Sequence, residues 1–229
     1  MATRVRLRRH QIDDLEVIRD LNVDTLQSLV SGIRSVDPVP LRPDKLVKCV
    51  AELLGERSEA ADAIVRQVLA VNGLMRQAGI GIEQAMDGIR YSIGSNASWS
   101  EDEKEKWKAL EHVFRDLVSA PACRLVSTAL DLSYDYANLL RRAKILTDIR
   151  PLYSKDAGMI EGAVISHTLR LRFDNLENEH QLSIAMDEED IRKLSQECDR
   201  ALRKAETARD LMCSKAQVST IISGESDDA

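Results

Sequence analysis

Aromatic side chains are scarce in this chain, 3% of 229 residues. Any core must therefore be packed mainly from aliphatic groups, which make up most of the 44% apolar content. Cysteine is sparse and badly spaced for chemistry: Cys49, Cys123, Cys198 and Cys213 contain no CxxC pair. That excludes zinc-ribbon spacing and a disulfide framework, and predicts reduced, mostly buried thiols of a cytosolic protein. No apolar run approaches the ~18 residues of a membrane span, so no membrane partner is expected. Residues 1–10 are basic, but no apolar segment follows them, so they do not read as a secretory signal. A net charge of −6 argues against a broad nucleic-acid surface.

The motifs of catalysis are missing as well. There is no GxSxG, and no cysteine lies in a glycine-rich or helix-opening context that would lower its pKa. Gly79-Ile80-Gly81 is a bare GxG with no strand before it and no lysine after it, which reads as a helix break. Glu101-Asp102-Glu103 and Asp187 to Asp190 are helix N-termini, where negative charge is stabilising. Asp148 is a polar residue inside an apolar strand; pairing with Arg150 or a backbone group is the simpler reading, an active-site carboxylate the sharper one. A metal site would draw on His167 and His180. If Phe173 faces His180 across a hairpin, His167 falls near Met186, and the imidazoles stand roughly 20 Å apart at strand rise. No metal, cofactor or enzymatic activity is expected.

What is present is organised around residues 143–212. In the stretch from Gly162 to Phe173, Ile165, His167, Leu169, Leu171 and Phe173 alternate with Ser166, Thr168, Arg170 and Arg172. A period of two gives a strand with one apolar and one wet face. A turn in Asp174-Asn175-Leu176-Glu177-Asn178 leads to a second strand, Glu179 to Met186, with Leu182, Ile184 and Met186 in phase. An earlier run from Lys144 to Tyr153, closed by Ser154-Lys155-Asp156-Ala157-Gly158, completes a three-stranded antiparallel meander. Asp187 then caps a long helix, with Met186 and Ile191 at staple spacing. Its stripe is Ile191, Leu194, Cys198, Ala201, Ala205, Ala208 and Met212, widened by Leu202 and Leu211. Packing on its own sheet is the simpler use of that stripe; meeting a second subunit is the sharper one.

The preceding residues carry helical spacing. Ile12, Leu15, Ile18 and Leu21 form one stripe. Asp24 is a candidate cap for a second helix with Leu26, Leu29, Val30 and Ile33. Pro43 opens a third helix that Gly55 ends. Ser58 to Gln77 predicts a fourth, Ile82 to Ile93 a fifth, and Ser100 with Glu103 forms a capping box for a sixth carrying Trp107, Leu110, Val113, Phe114 and Leu117. Cys123 to Leu130 fits a seventh helix, Leu132 to Tyr136 an extended segment, and Leu139-Leu140-Arg141-Arg142 either a helix or the first strand.

The fold class is thus α+β: an N-terminal bundle of about six to seven helices, then a three-stranded antiparallel sheet and a long C-terminal helix. The expected organisation is a helical domain over 1–132 with a basic arm at 1–10, a β-β-β-α module over 133–213, and a flexible acidic tail over 214–229.

This order resembles the COMM-domain proteins. The resemblance is carried by Ile145-Leu146-Thr147-Asp148-Ile149, Thr168-Leu169-Arg170-Leu171-Arg172-Phe173, Leu182-Ser183-Ile184 and the helix with Ile191, Leu194 and Leu202. The tryptophan typical of that family's first strand is absent, and Trp99 and Trp107 both lie in the helical half. The resemblance implies an obligate dimer of interlocked modules and a non-enzymatic, scaffolding subunit of a larger protein assembly.

A three-stranded sheet with one helix leaves a face uncovered, to be buried by the N-terminal helices or by a second copy of the unit; the preferred reading is the second copy, a homodimer of a cytoplasmic interaction protein. The expected interface comprises Ile165, His167, Leu169, Leu171, Phe173, Leu182, Ile184, Ile191, Leu194 and Cys198. The alternative is a nucleic-acid-associated regulator whose arm, Arg4, Arg6, Arg8 and Arg9, contacts phosphate.

Overall fold

The computed structural model describes residues 7–175 and 178–224. Their contacts divide into two compact units, 7–133 with 218–224 and 134–217. The architecture is α+β, with seven helices preceding a three-stranded antiparallel sheet and a long C-terminal helix.

The first unit contains α1 (Arg9–Arg19), α2 (Val23–Arg34), α3 (Pro43–Leu54), α4 (Ala61–Ala78), α5 (Ile82–Gly94), α6 (Glu101–Val118) and α7 (Pro121–Tyr134), with a 3-10 stretch, Gly55–Ala60, before α4. Local chemistry sets the ends. Pro43 opens α3, where its missing N–H costs no hydrogen bond. Gly79 closes α4 at φ 63°, a left-handed value that suits glycine. Ser100 Oγ accepts from the Glu103 N–H at 3.3 Å while Glu103 Oε2 accepts from the Ser100 N–H at 2.7 Å.

Several boundaries differ from the sequence reading; α4 begins at Ala61, after the 3-10 stretch, rather than at Ser58. Asn22, not Asp24, caps α2: its Oδ1 accepts from the Thr25 N–H at 2.7 Å, which leaves Asp24 in the first turn facing the helix dipole. Helix α7 runs on through Leu132 to Tyr134, because no proline or glycine interrupts it. Helix α1 begins at Arg9, so Arg9 and His10 are helical rather than part of an arm, and Arg8 is the N-cap residue.

The core of this unit is aliphatic, with the rare aromatics set in a row. Leu15, Ile18, Leu26, Leu29, Ile33, Leu46, Ile64, Met86, Ile89 and Leu117 are fully buried. Trp99 meets Trp107 edge-on at 6.4 Å between centroids, and Trp107 meets Phe114 at 5.5 Å. Such pairs contribute about 0.5–1.5 kcal/mol beyond burial. The Arg19 guanidinium lies over the Trp99 ring at 4.7 Å and beside Glu103 at 2.9 Å, and Trp99 Nε1 donates to Glu16 at 2.9 Å. These contacts tie α1 and α6 to the loop between α5 and α6.

Buried Asp14 on α1 accepts from Arg66 Nε and NH2 at 3.1 and 2.6 Å, and from Gln67 Nε2 at 3.1 Å, which joins α1 to α4. Burial alone would raise the Asp14 pKa. The hydrogen bonds from Arg66 and Gln67, with the Arg66 charge, outweigh burial and hold it below the ordinary 3.8.

The second unit holds β1 (Leu139–Tyr153), β2 (Ile160–Asp174), β3 (Glu179–Met186) and α8 (Glu188–Leu211). The sheet order is β1-β2-β3, antiparallel throughout. Leu139 to Arg142, open between helix and strand in the sequence, belongs to β1, with a bulge between Leu140 and Arg142. Asp187 caps α8 in a reciprocal box with Asp190: Asp187 Oδ1 accepts from the Asp190 N–H at 2.8 Å, and Asp190 Oδ2 accepts from the Asp187 N–H at 3.2 Å.

The segment after α8 is more ordered than the expected tail. Met212–Ala216 adds one wide helical turn. Residues 220–222 are half-buried, and Ser223 Oγ donates to the Ser133 carbonyl at 3.4 Å. The acidic end, Glu225 to Asp228, lies outside the described residues, as do Arg4, Arg6, Leu176 and Glu177.

Two outcomes are expected. Trp107 is buried and its Nε1 has no hydrogen-bond partner among the described residues. Trp107→Ala should cost about 3–5 kcal/mol in urea unfolding, whereas Trp107→Phe, which keeps a ring and removes the orphan donor, should cost less than half of that. For Asp14, a depressed pKa makes its contribution complete above the ordinary 3.8 and lost as pH falls through the lower folded value. Asp14→Asn should therefore flatten the acid limb of stability against pH below about 4.

Candidate interaction surface

Strand alternation builds the site. Ile165, His167, Leu169, Leu171 and Phe173 share one face of β2. Cross-strand pairing brings Ile149, Thr147, Ile145, Ala143 and Leu140 of β1 opposite them in that order. On the other side Met186, Ile184, Leu182 and His180 of β3 face His167, Leu169, Leu171 and Phe173. The expected sheet residues of the interface thus lie together in one continuous apolar face.

That face is open. Ile149 is 69% exposed and Ile165 64%, and Leu182 and Ile184 are also exposed; His167, Leu169, Leu171 and Phe173 are half-buried by their neighbours within the sheet.

Helix α8 does not cover it. Among the described residues of α8 none is buried. Leu202 is 65% exposed, Leu194 and Leu211 are exposed, Cys198 is exposed, and Ile191 alone of the three expected helix contacts is half-buried. The simpler reading of the stripe, packing on its own sheet, is overturned. Periodicity marks which side of a helix is apolar but not what covers it.

The polar candidates are not brought together. His167 Nδ1 and Thr147 Oγ1 share a hydrogen bond at 3.0 Å, while His180 stacks on Phe173 at 5.6 Å between centroids. Asp148 pairs with Ser166 in register, one residue out of phase with His167 and so on the opposite face. Among the described residues it makes no ion pair with Arg150, and it is exposed. Among the described residues no three His, Cys, Asp or Glu side chains form a metal-binding group, and no helix is long and apolar enough to cross a membrane.

In the helical unit, a cavity of about 510 Å³ between α1, α2 and α6 is lined by Arg19, Leu21, Val23, Lys106 and Leu110, among others. Another, of about 300 Å³, has Arg90 and Arg115 already paired with Glu111 and Glu83. Arg8 and Arg9 are exposed at the start of α1.

The thiols are less buried than expected. Cys123 is buried, Cys49 half-buried, Cys198 exposed midway along α8 and Cys213 exposed on the turn after it, all four free. Burial pushes the Cys123 thiol up to about 12, and burial with nearby Glu52 also raises Cys49.

No protein-family model matches the chain. Comparison with curated proteins gives no match either.

Sequence reasoning found the apolar face but treated its reverse as merely wet. The missed feature is that Arg142, Lys144, Arg170 and Arg172 line one groove there with Glu179 and Gln181. The signal was in the alternating half of the same strands.

Toward a water-soluble disulfide reagent at mildly alkaline pH, Cys213 should react in the native protein. Cys123 should react only when the helical unit unfolds, its thiolate being disfavoured by burial.

Proposed function

We propose that this chain is a non-catalytic interaction protein that homodimerises through its β-β-β-α module and serves as a subunit of a larger protein assembly. The observation that supports this reading is the pair of uncovered apolar surfaces in one unit: the sheet face through Leu169 and Leu171, and the α8 stripe from Ile191 to Leu211. Each is the kind of surface that buries the other. Within one chain they do not meet, so a two-fold partner that lays its α8 on this sheet, and receives this α8 on its own, satisfies both by an isologous contact.

The composition of the stripe suits that role. Ala201, Ala205 and Ala208 keep the second half of α8 narrow, which lets its backbone approach a flat strand surface closely. Leu194 and Leu202 supply the bulk. The loss of apolar exposure at about 25 cal/mol per Å² is the driving term, and an obligate contact of this type buries more than roughly 2,000 Å². The β-β-β-α order and the apolar positions shared with COMM-domain proteins point to the same mode of assembly.

Light scattering on the full chain at micromolar concentration should give twice the chain mass. A stable monomer at that concentration overturns the proposal. Leu171→Asp should yield unfolded or aggregated protein, because the folded unit then lacks a closed core. Leu194→Asp separates the readings further. In an isolated chain this exposed position should cost no more than about 0.5 kcal/mol. In the proposed dimer it should lower the melting temperature, make it concentration-dependent, and expose Cys198 to alkylation.

A further inference from the structure

The reverse face of the same sheet carries its own information. The bulge after Leu140 places Arg141 beside Asp174, with which it pairs, and leaves Arg142 opposite Arg172. Two residues along, Lys144 stands opposite Arg170. Both cross-strand pairs are like-charged, an arrangement that destabilises a sheet when nothing intervenes. Only Arg172 has a counter-charge: it pairs with Glu179. Arg142, Lys144 and Arg170 have no ion pair or hydrogen-bond partner among the described residues. With Glu179 and Gln181 the four cations line a groove of about 330 Å³.

We propose that this groove docks an acidic, extended peptide segment of a partner protein. The spacing carries the choice. Same-face residues in a strand are about 7 Å apart, so the steps Arg142 to Lys144 and Arg172 to Arg170 match the step between carboxylates at alternate positions of an extended chain. Two such carboxylates laid along the sheet each meet one cross-strand row, and the guanidinium of Arg142, Arg170 or Arg172 offers a fork that a carboxylate accepts with both oxygens. Gln181 and Ser183, opposite Arg172 and Arg170 on β3, add neutral donors beside each row.

The block is compact and bounded. Asp148 flanks it on β1 and Glu179 on β3, and the chain as a whole carries −6. A duplex or an anionic bilayer requires a wider continuous positive field than this. The site uses the face that the proposed dimer leaves free, so it stands whether or not the chain dimerises.

The test is fluorescence anisotropy of a labelled octaglutamate peptide titrated with the full-length protein at low salt. The wild type should bind. Raising the salt to several hundred millimolar should weaken binding about tenfold or more, because the contact is exposed and screened. Lys144→Glu should weaken it at least tenfold while the melting temperature holds or rises, since it turns a like-charged pair with Arg170 into an attractive one. Arg170→Gln should also weaken binding, which gives a second reading should Lys144→Glu disturb the fold. Lys155→Glu, in the β1–β2 loop, should bind as the wild type does. Failure of the wild type to bind the peptide overturns the proposal. So does unchanged binding in both groove variants, or an equal loss in Lys155→Glu. Binding to phosphatidylserine vesicles or to a short DNA duplex in place of the peptide overturns it as well.

Discussion

An apolar sheet face must be covered, and that single requirement governs the C-terminal half of this protein. Residues 139–186 form three paired strands whose backbone needs are met internally, except along the outer edges. The side chains are another matter. Ile145, Leu169 and Ile184 stand in one row, Ala143, Leu171 and Leu182 in the next, and α8 of the same chain lies over neither. A sheet and a helix joined by one tight, well-capped turn have apolar surfaces of similar length. Both stay exposed among the described residues.

The helical unit provides the contrast. Its stripes are buried within the unit, and its interior polar groups, apart from Trp107 Nε1, include several held by specific partners. Asp14 is held by Arg66 and Gln67, and Asn72 Nδ2 donates to the Val68 and Val118 carbonyls at 3.0 and 3.1 Å. A chain poor in aromatics has put both tryptophans and one of its two phenylalanines into one contiguous cluster. Large rings in contact fill volume that short aliphatic groups at the same positions would leave open. One unit is closed in itself, the other open.

The open sheet has two faces of opposite character from one alternating pattern. Hydrophobic and cationic residues take turns along β2, so the register that aligns Leu169 with Ile145 also aligns Arg170 with Lys144. Neither consequence can be changed without the other, because a one-residue slip would exchange the faces wholesale. This coupling gives the meander one apolar and one cationic face.

Much of the local structure was legible from residues alone. The extent of β3, the capped start of α8 at Asp187, the Ser100–Glu103 box and the opposition of Phe173 and His180 all follow from short-range rules of period, cap and turn. The errors were also local in kind. Asn22 and Asp24 are both good capping residues, and only the backbone decides between them; Leu132 to Tyr134 suits strand or helix until its neighbours are known. Asp148, for which pairing with Arg150 or a backbone group is the simpler sequence reading, is exposed and makes no ion pair with Arg150 among the described residues. The largest matter lay beyond sequence altogether. A periodic stripe states that a surface is apolar, but the covering surface is chosen by three-dimensional geometry, and here that geometry keeps α8 off its own sheet. The like-charged rows at Arg142–Arg172 and Lys144–Arg170 were equally hidden, since a charge pair across strands exists only once register is set. Sequence determined the elements and their faces; tertiary structure decided which faces meet, because burial and cross-strand contact are properties of distance in space rather than of separation along the chain.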